Sequence, residues 1–226
     1  MKPVIQEEKK IESEVESLID RNRVVSFSDA VFAFAATLLV LKIDLPEISG
    51  GDLNTQLAQG LITLWPAYLA NVISFLVIGY YWLNHHAIFG FVQRFNQTIV
   101  WINLIFLISI SFLPFPVDLY GDYSTVPIIV VFYSASLAFV GYFLAFIWWY
   151  AADKHRLINK NLGDRQIRYY LARILIAPIV FTFSIPLVWV HPIIAQGAWV
   201  LVLIGTVLIN RIFHIKNLNS IEKATF

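Results

Sequence analysis

The amino-acid sequence predicts an all-α integral membrane protein with six transmembrane helices. Three observations carry that reading. Of 226 residues 58% are hydrophobic and only 14% charged, where a soluble domain sits nearer half apolar and a quarter charged. Six apolar runs reach membrane-spanning length. And when those runs are threaded back and forth, 15 of the 16 Lys and Arg fall on one side.

Taken in order, residues 1–22 form a polar N-terminal segment in which Ile11, Val15, Leu18 and Ile19 share one helical stripe, so a short amphipathic helix is expected there. It has no apolar signal-peptide core, and the first span is expected to insert itself. The transmembrane domain covers residues 23–212, with a polar tail over 213–226. The first helix is expected over about 24–44. Pro46, Gly50 and Gly51 mark a loop after it. A second helix is expected over about 57–83, closing on the aromatic belt Tyr80, Tyr81 and Trp82, and residues 85–97 then turn the chain. The third, about 97–117, is expected to stop at Pro114-Phe115-Pro116, with a turn over 118–125. The fourth covers about 126–150. A polar stretch over 152–168 follows, then a fifth helix over about 168–190. Residues 191–197 read as a tight connection to the sixth helix, about 196–212.

Lys42 is the one basic residue off the basic side, so the positive-inside bias puts both termini in the cytoplasm of a multi-pass cell-membrane protein. The other face carries Asp44, Glu47, Asp52, Asp118 and Asp122, and a net-negative vestibule of this kind, with Asp44 and Glu47 at the end of the first helix, concentrates cations. Acidic outer loops also occur on proteins that conduct nothing.

Several chemistries are excluded by what is missing. There is no GxxxxGK[ST] phosphate loop for ATP-driven pumping. There is no TVGYG-like carbonyl filter and no helix with Arg at every third position. With no Cys, thiolate chemistry and disulfides are out. Adjacent His85 and His86 diverge on a helix, and no His, Asp or Glu cluster has ligand spacing, so neither a resident metal nor a cofactor is expected. Buried serines have no base beside them, so the protein is not read as an enzyme. No nucleic-acid partner is expected; the bilayer is.

The first helix holds the chemistry. Residues 24–41 make roughly 27 Å of helix, about one hydrocarbon core. Arg23, Ser26, Ser28 and Asp29 stand at its mouth, and polar groups at that depth need partners or water. At 100° per residue, with Phe34 at zero, Phe27, Val31, Phe34, Leu38 and Leu41 fall within about 60° of it, flanked by Thr37 at about −60°. An ordinary helix-packing face would look the same. For the mouth, a hydrogen-bonded network of Arg23, Ser28, Asp29 and His85 competes with simple contact to headgroups or water.

Arg23, Phe27, Ser28 and Asp29 complete an RxxxFSD signature at the start of the first of six spans. With Trp82, His85 and Phe89 in the second helix, and Asn103-Leu104 and Phe112-Leu113-Pro114-Phe115 in the third, the chain resembles the lysosomal and endosomal potassium channel family and its prokaryotic homologues. The resemblance implies a potassium-permeable channel. Bacterial members of this size assemble as homotetramers, and the first helix of each subunit lines a central pore without a re-entrant filter loop. It places the narrowest ring at Phe34, five residues past Asp29, with further rings at Leu38 and Leu41. Thr37 falls where a hydroxyl helps coordinate a dehydrated cation, and Arg23, Phe27, Ser28, Asp29, His85 and Asn103 form the polar network behind. The family usually has Ile or Leu where this chain has Phe34. Potassium is then cargo, with caesium and rubidium also permeant. A six-helix secondary or proton-coupled transporter using Asp29 as relay is the alternative, and a non-conducting scaffold a third possibility.

Overall fold

Inside lipid every backbone N–H and C=O must be satisfied within the protein, and a chain this apolar does so by closing into helices. The computed structural model describes residues 21–43 and 52–213. Helix α1 covers Arg21–Leu38 and continues as a 3-10 turn, Leu39–Lys42. Then come α2 (Leu53–Thr63), α3 (Trp65–Phe91), α4 (Gln97–Phe112), α5 (Pro114–Tyr123), α6 (Pro127–Ala152), α7 (Asp164–Leu187), α8 (Pro192–Ala198) and α9 (Leu201–Ile212). No strand is present among the described residues. Six helical stretches are long and apolar enough to cross a membrane: Arg21–Leu41, Asn71–Phe91, Gln97–Tyr123, Pro127–His155, Asp164–Leu187 and Pro192–Ile212.

The spans differ from the sequence reading in instructive places. The second does not end at its aromatic belt: α3 runs on through His85, His86 and Gly90 to Phe91. Ile88 and Phe89 are buried there, so tertiary packing carries the helix through a segment that reads as a turn. Pro114 and Pro116 do not stop the third span. Pro114 sits at the first position of α5, where its missing N–H costs nothing, so the chain restarts as helix through residues expected to form a turn. Pro192 does the same for α8, and residues expected to form a tight connection are helical, capped by the His191 imidazole accepting from Ile193 N–H. The expected N-terminal amphipathic helix and most of the tail lie outside the described residues.

The bundle centres on α6, which packs along α7 and against α4. At Gly141 of α6 an added Cβ would fall 2.7 Å from Pro178 Cδ of α7, so only a residue without a side chain admits this crossing. Buried hydroxyls tie the last three spans together. Trp199 Nε1 donates to Ser184 Oγ at 3.1 Å, Ser184 donates to the Phe181 carbonyl at 2.7 Å, and Ser134 Oγ stands 3.3 Å away.

One end of the bundle gathers the start of α1, the ends of α3 and α6, the start of α7 and the end of α9. There Gln93 and Arg94 N–H donate to the Leu157 carbonyl at 2.9 and 3.2 Å, and Arg165 donates to the Phe213 carbonyl at 2.8 Å. This is the basic end.

Candidate pore face and its polar anchor

Helix α1 contains neither Gly nor Pro and packs against α3 and α4 on one side only. Its buried residues are Ser28, Phe32, Ala35 and Ala36, with Leu39 in the following turn. On the same wheel these span about 100° to 200°, centred near 150°. The exposed residues are Asn22, Arg23, Ser26, Phe27, Ala30, Ala33, Phe34, Thr37, Val40 and Leu41, spanning about −120° to +20°. Thr37 stands near the middle of that bare arc, about 150° from the buried centre. Phe34 is 63% exposed and Leu41 75%. Leu38 and Val31 are half-buried on its flank. The apolar stripe read from the sequence is therefore rotated: its Leu38 edge leans on the bundle, while Ala30, Ala33 and Thr37 open outward. The Thr37 hydroxyl donates to the Phe34 carbonyl at 2.9 Å, leaving its lone pairs on the bare side.

The polar mouth of α1 is bonded into the bundle by a directed chain. His85 Nε2–H of α3 donates to Asn103 Oδ1 of α4 at 2.9 Å, Asn103 Nδ2 donates to Ser28 Oγ at 2.9 Å, and Ser28 donates to the Val24 carbonyl at 2.9 Å. Since Ser28 must donate to Val24 and Asn103 to Ser28, Asn103 offers only its oxygen to the imidazole, which fixes the proton on Nε2. All three side chains are buried. The imidazole is stacked between Phe89 and Phe106, ring centroids 4.1 and 5.4 Å away, with Phe32 at 5.5 Å. Three helices are thus locked at one height by side chains that would each be expensive to leave unpaired in lipid.

Asp29 is held separately. Trp82 Nε1 of α3 donates to its Oδ1 at 2.8 Å. Arg23 is exposed and stands outside both arrangements, and Phe27 lies on the bare arc. Ser28, His85 and Asn103 are brought together, Asp29 is beside them through another partner, and Asp44 and Glu47 lie outside the described residues. Two roles escaped sequence reasoning. Trp82 reads as a belt aromatic and as part of the second-helix motif with His85 and Phe89, not as the partner of Asp29, though one turn before His85 it shares that residue's face. Arg21, two places before the signature, donates to the Phe89 and Gly90 carbonyls at 3.2 and 3.3 Å, capping the end of α3.

This fold and site define a polytopic membrane protein whose first span is pinned on one face at its mouth and bare along the other. Comparison with known proteins gives that class a family. The profile described as endosomal/lysosomal potassium channel TMEM175 matches residues 23–114. A potassium channel of Streptomyces collinus is 32% identical over 76% of this chain and 84% of its own length. One of Chamaesiphon minutus is 33% identical over 75% and 87%. The chicken endosomal/lysosomal proton channel TMEM175 is 27% identical over 87% of this chain but only 39% of its own length. The crystal structure of a lysosomal potassium-selective channel TMEM175 homologue from Chamaesiphon minutus superimposes with a TM-score of 0.67 at 27% identity, covering 84% of this chain and 98% of that one. The chain belongs to the TMEM175 family. It is an ion channel, not an enzyme.

Proposed function

We propose that this chain is a potassium-permeable cation channel of the cell membrane, with both termini cytoplasmic. Four copies set their α1 helices around a central pore lined by Phe34, Thr37 and Leu41, with Leu38 at its edge. No re-entrant filter loop takes part, no cofactor is needed, and Asp44 and Glu47 attract cations to the outer mouth. The observation that carries this reading is the composition of the bare arc of α1. Helix α9 is also largely exposed, but apart from Asn210 and Arg211 in its last turn what it bares is Leu201, Leu203, Ile204, Val207, Leu208 and Ile212, a surface suited to lipid tails. Helix α1 bares two alanines, Ser26, Thr37 and Arg23 between its large apolar side chains. Small and hydroxyl-bearing residues are costly against lipid and favourable against other helices or water.

Rings of Phe34 and Leu41 leave a neck too narrow and dry for a hydrated ion, gating by closure and dewetting. Potassium sheds water more readily than sodium, so it passes more easily, and selectivity without a carbonyl cage is modest. The names of the bacterial relatives, potassium channels, support the choice of ion. The test is purified protein in liposomes under a potassium gradient with single-channel recording. Unitary currents with flux linear in concentration are expected, and Thr37→Val should change the potassium-to-sodium permeability ratio. Saturating flux without unitary events would refute the channel reading, and an unchanged ratio would remove Thr37 from it.

A further inference from the structure

Arg173 belongs to none of the arrangements described above. It lies nine residues into α7 from Asp164, roughly 14 Å along a membrane-spanning helix. A guanidinium at that depth is rare unless something answers its charge. Among the described residues it has no acidic partner, and its Nε is buried without a hydrogen-bond acceptor.

It stands at the crevice where α3 and the α7–α9 pair meet through side chains and not by direct helix packing. Helix α9 packs on α7 closely enough that a Cβ at Gly205 would fall 2.8 Å from Ile176. Helix α3 packs directly on neither of them and reaches across with side chains. The Tyr80 hydroxyl donates to the Arg173 carbonyl at 3.4 Å, and Thr206 faces Tyr80 from α9. One turn along α9 from Thr206, the Asn210 amide oxygen accepts from Tyr169 at 2.8 Å, and its NH2 group donates to nothing among the described residues. Tyr80 and Thr206 spend their hydroxyl protons on backbone carbonyls. Asn84 on α3 gives its amide to the Tyr80 carbonyl at 2.8 Å, and the donors left over on α7 and α9 are the Arg173 guanidinium and the Asn210 amide, both suited to an anion. Arg168 and Arg211 are exposed at the basic end of α7 and α9. Its walls toward the bilayer are apolar: Leu76 and Leu83 on α3, Leu203 and Val207 on α9, all exposed.

We propose that this crevice between α3, α7 and α9 binds an anionic phospholipid from the leaflet at the basic end. The phosphate is held in the fork of Arg173 and by the Asn210 amide, with the acyl chains along α3 and α9. The planar fork matches a phosphate bidentately, which lysine cannot do, and basic pockets between spans select anionic headgroups over zwitterionic ones. The lipid would fasten the fifth and sixth spans to the second, which reaches the fifth through Tyr80 and through Phe91 against Tyr170, ring centroids 4.9 Å apart. The assignment is independent of which ion the protein conducts.

The test titrates the purified full chain in detergent with phosphatidylglycerol or phosphatidylcholine and reads bound lipid by native mass spectrometry. Size exclusion monitors folding. Wild type should retain phosphatidylglycerol in clear preference to phosphatidylcholine. Arg173→Gln should weaken phosphatidylglycerol by at least about tenfold, the loss of one charge-assisted contact. Arg173→Lys, which keeps the charge and protects folding if the glutamine variant fails, should recover only part of the binding. Asn210→Leu should give a smaller loss. Equal retention of the two lipids, or undiminished phosphatidylglycerol binding by the folded lysine or glutamine variant, would overturn the proposal. So would full competition by inorganic phosphate, which would make this a soluble-anion site.

Discussion

Replacing Asn103 by Leu tests whether the His85–Asn103–Ser28 chain holds the first three spans together. Leucine is close to isosteric, so little cavity opens and the loss is almost wholly polar. Ser28 keeps its own bond to the Val24 carbonyl and is not stranded. His85 is stranded, because its Nε2–H is buried with no other acceptor and aromatic rings close it off on both faces. An unsatisfied buried donor costs about 1–3 kcal/mol, and the lost interhelical bonds add about 0.6 kcal/mol each. We expect about 2–4 kcal/mol in all, a fall in Tm of about 4–16 °C for a chain of this length, read from tryptophan fluorescence during thermal unfolding in detergent. The decisive variant is the double one. His85→Phe removes the orphaned N–H and leaves an apolar ring in a slot formed by Phe32, Phe89 and Phe106. His85→Phe with Asn103→Leu should therefore be more stable than Asn103→Leu alone, although His85→Phe by itself strands the Asn103 oxygen and destabilises. Simple addition of the two single effects would refute the chain as a coupled unit.

Three further expectations follow from particular contacts. Trp82→Phe takes the indole N–H from the Asp29 carboxylate and should cost about 1.5–3 kcal/mol, the range for a bond to a charged group. Asp29→Asn keeps an oxygen acceptor and should be milder, so equal losses in thermal unfolding would count against the indole bond. Gly141→Ala should destabilise by about 1–3 kcal/mol through overpacking on the Pro178 ring, while Gly79→Ala, with open space around it, should stabilise by about 0.5–1 kcal/mol. Opposite signs in one assay are the check. Asp52 caps α2 by accepting from the Thr55 hydroxyl and N–H, and these bonds, the hydroxyl first, lower its carboxyl below 3.8. A depressed folded value gives stabilisation that is complete above the unfolded one and vanishes as pH falls through the folded one. Amide exchange at the start of α2 should accelerate only at such acid pH, with the Asp52 carboxyl NMR titration centred below 3.8.

The spans were legible because twenty apolar residues in a row have one economical fate in lipid, and the charge asymmetry between loops reads as plainly. What misled was local punctuation. Proline and glycine mark helix ends in water, yet Pro114, Pro192 and Gly90 all sit within or at the start of helices here, because apolar surroundings offer the freed backbone no competing partner. At the mouth of α1, the type of each polar residue announced a network, but the pairings depend on where α3 and α4 cross it. Spacing along the sequence could not assign Asp29 to Trp82 rather than to the nearer Arg23. The helical wheel was centred on the large side chains of α1. Burial in the bundle, set by Phe32, Ala35 and Leu39, turns it toward Thr37.

That rotation separates two versions of the pore. If size alone decided which side chains meet the permeation path, Phe34, Leu38 and Leu41 would be equivalent rings. If the face opposite the buried arc decides, Phe34, Thr37 and Leu41 face the path and Leu38 lies against its own bundle. The chain has no cysteine, so each position can be replaced by Cys singly without background. A membrane-impermeant thiol reagent should then block current through Thr37→Cys fastest. Phe34→Cys and Leu41→Cys should follow, lying about 60° and 40° from it on the wheel. Leu38→Cys, about 100° away and half-buried, should react at least about tenfold more slowly than Thr37→Cys, because thiol reactivity follows exposure of the thiolate. Equal block at all four sites would mean that the helix turns on assembly and that the face bared by one subunit is not the one the ion meets. A ranking led by Leu38 would restore the stripe centred on bulk and make Thr37 a packing residue between neighbouring helices.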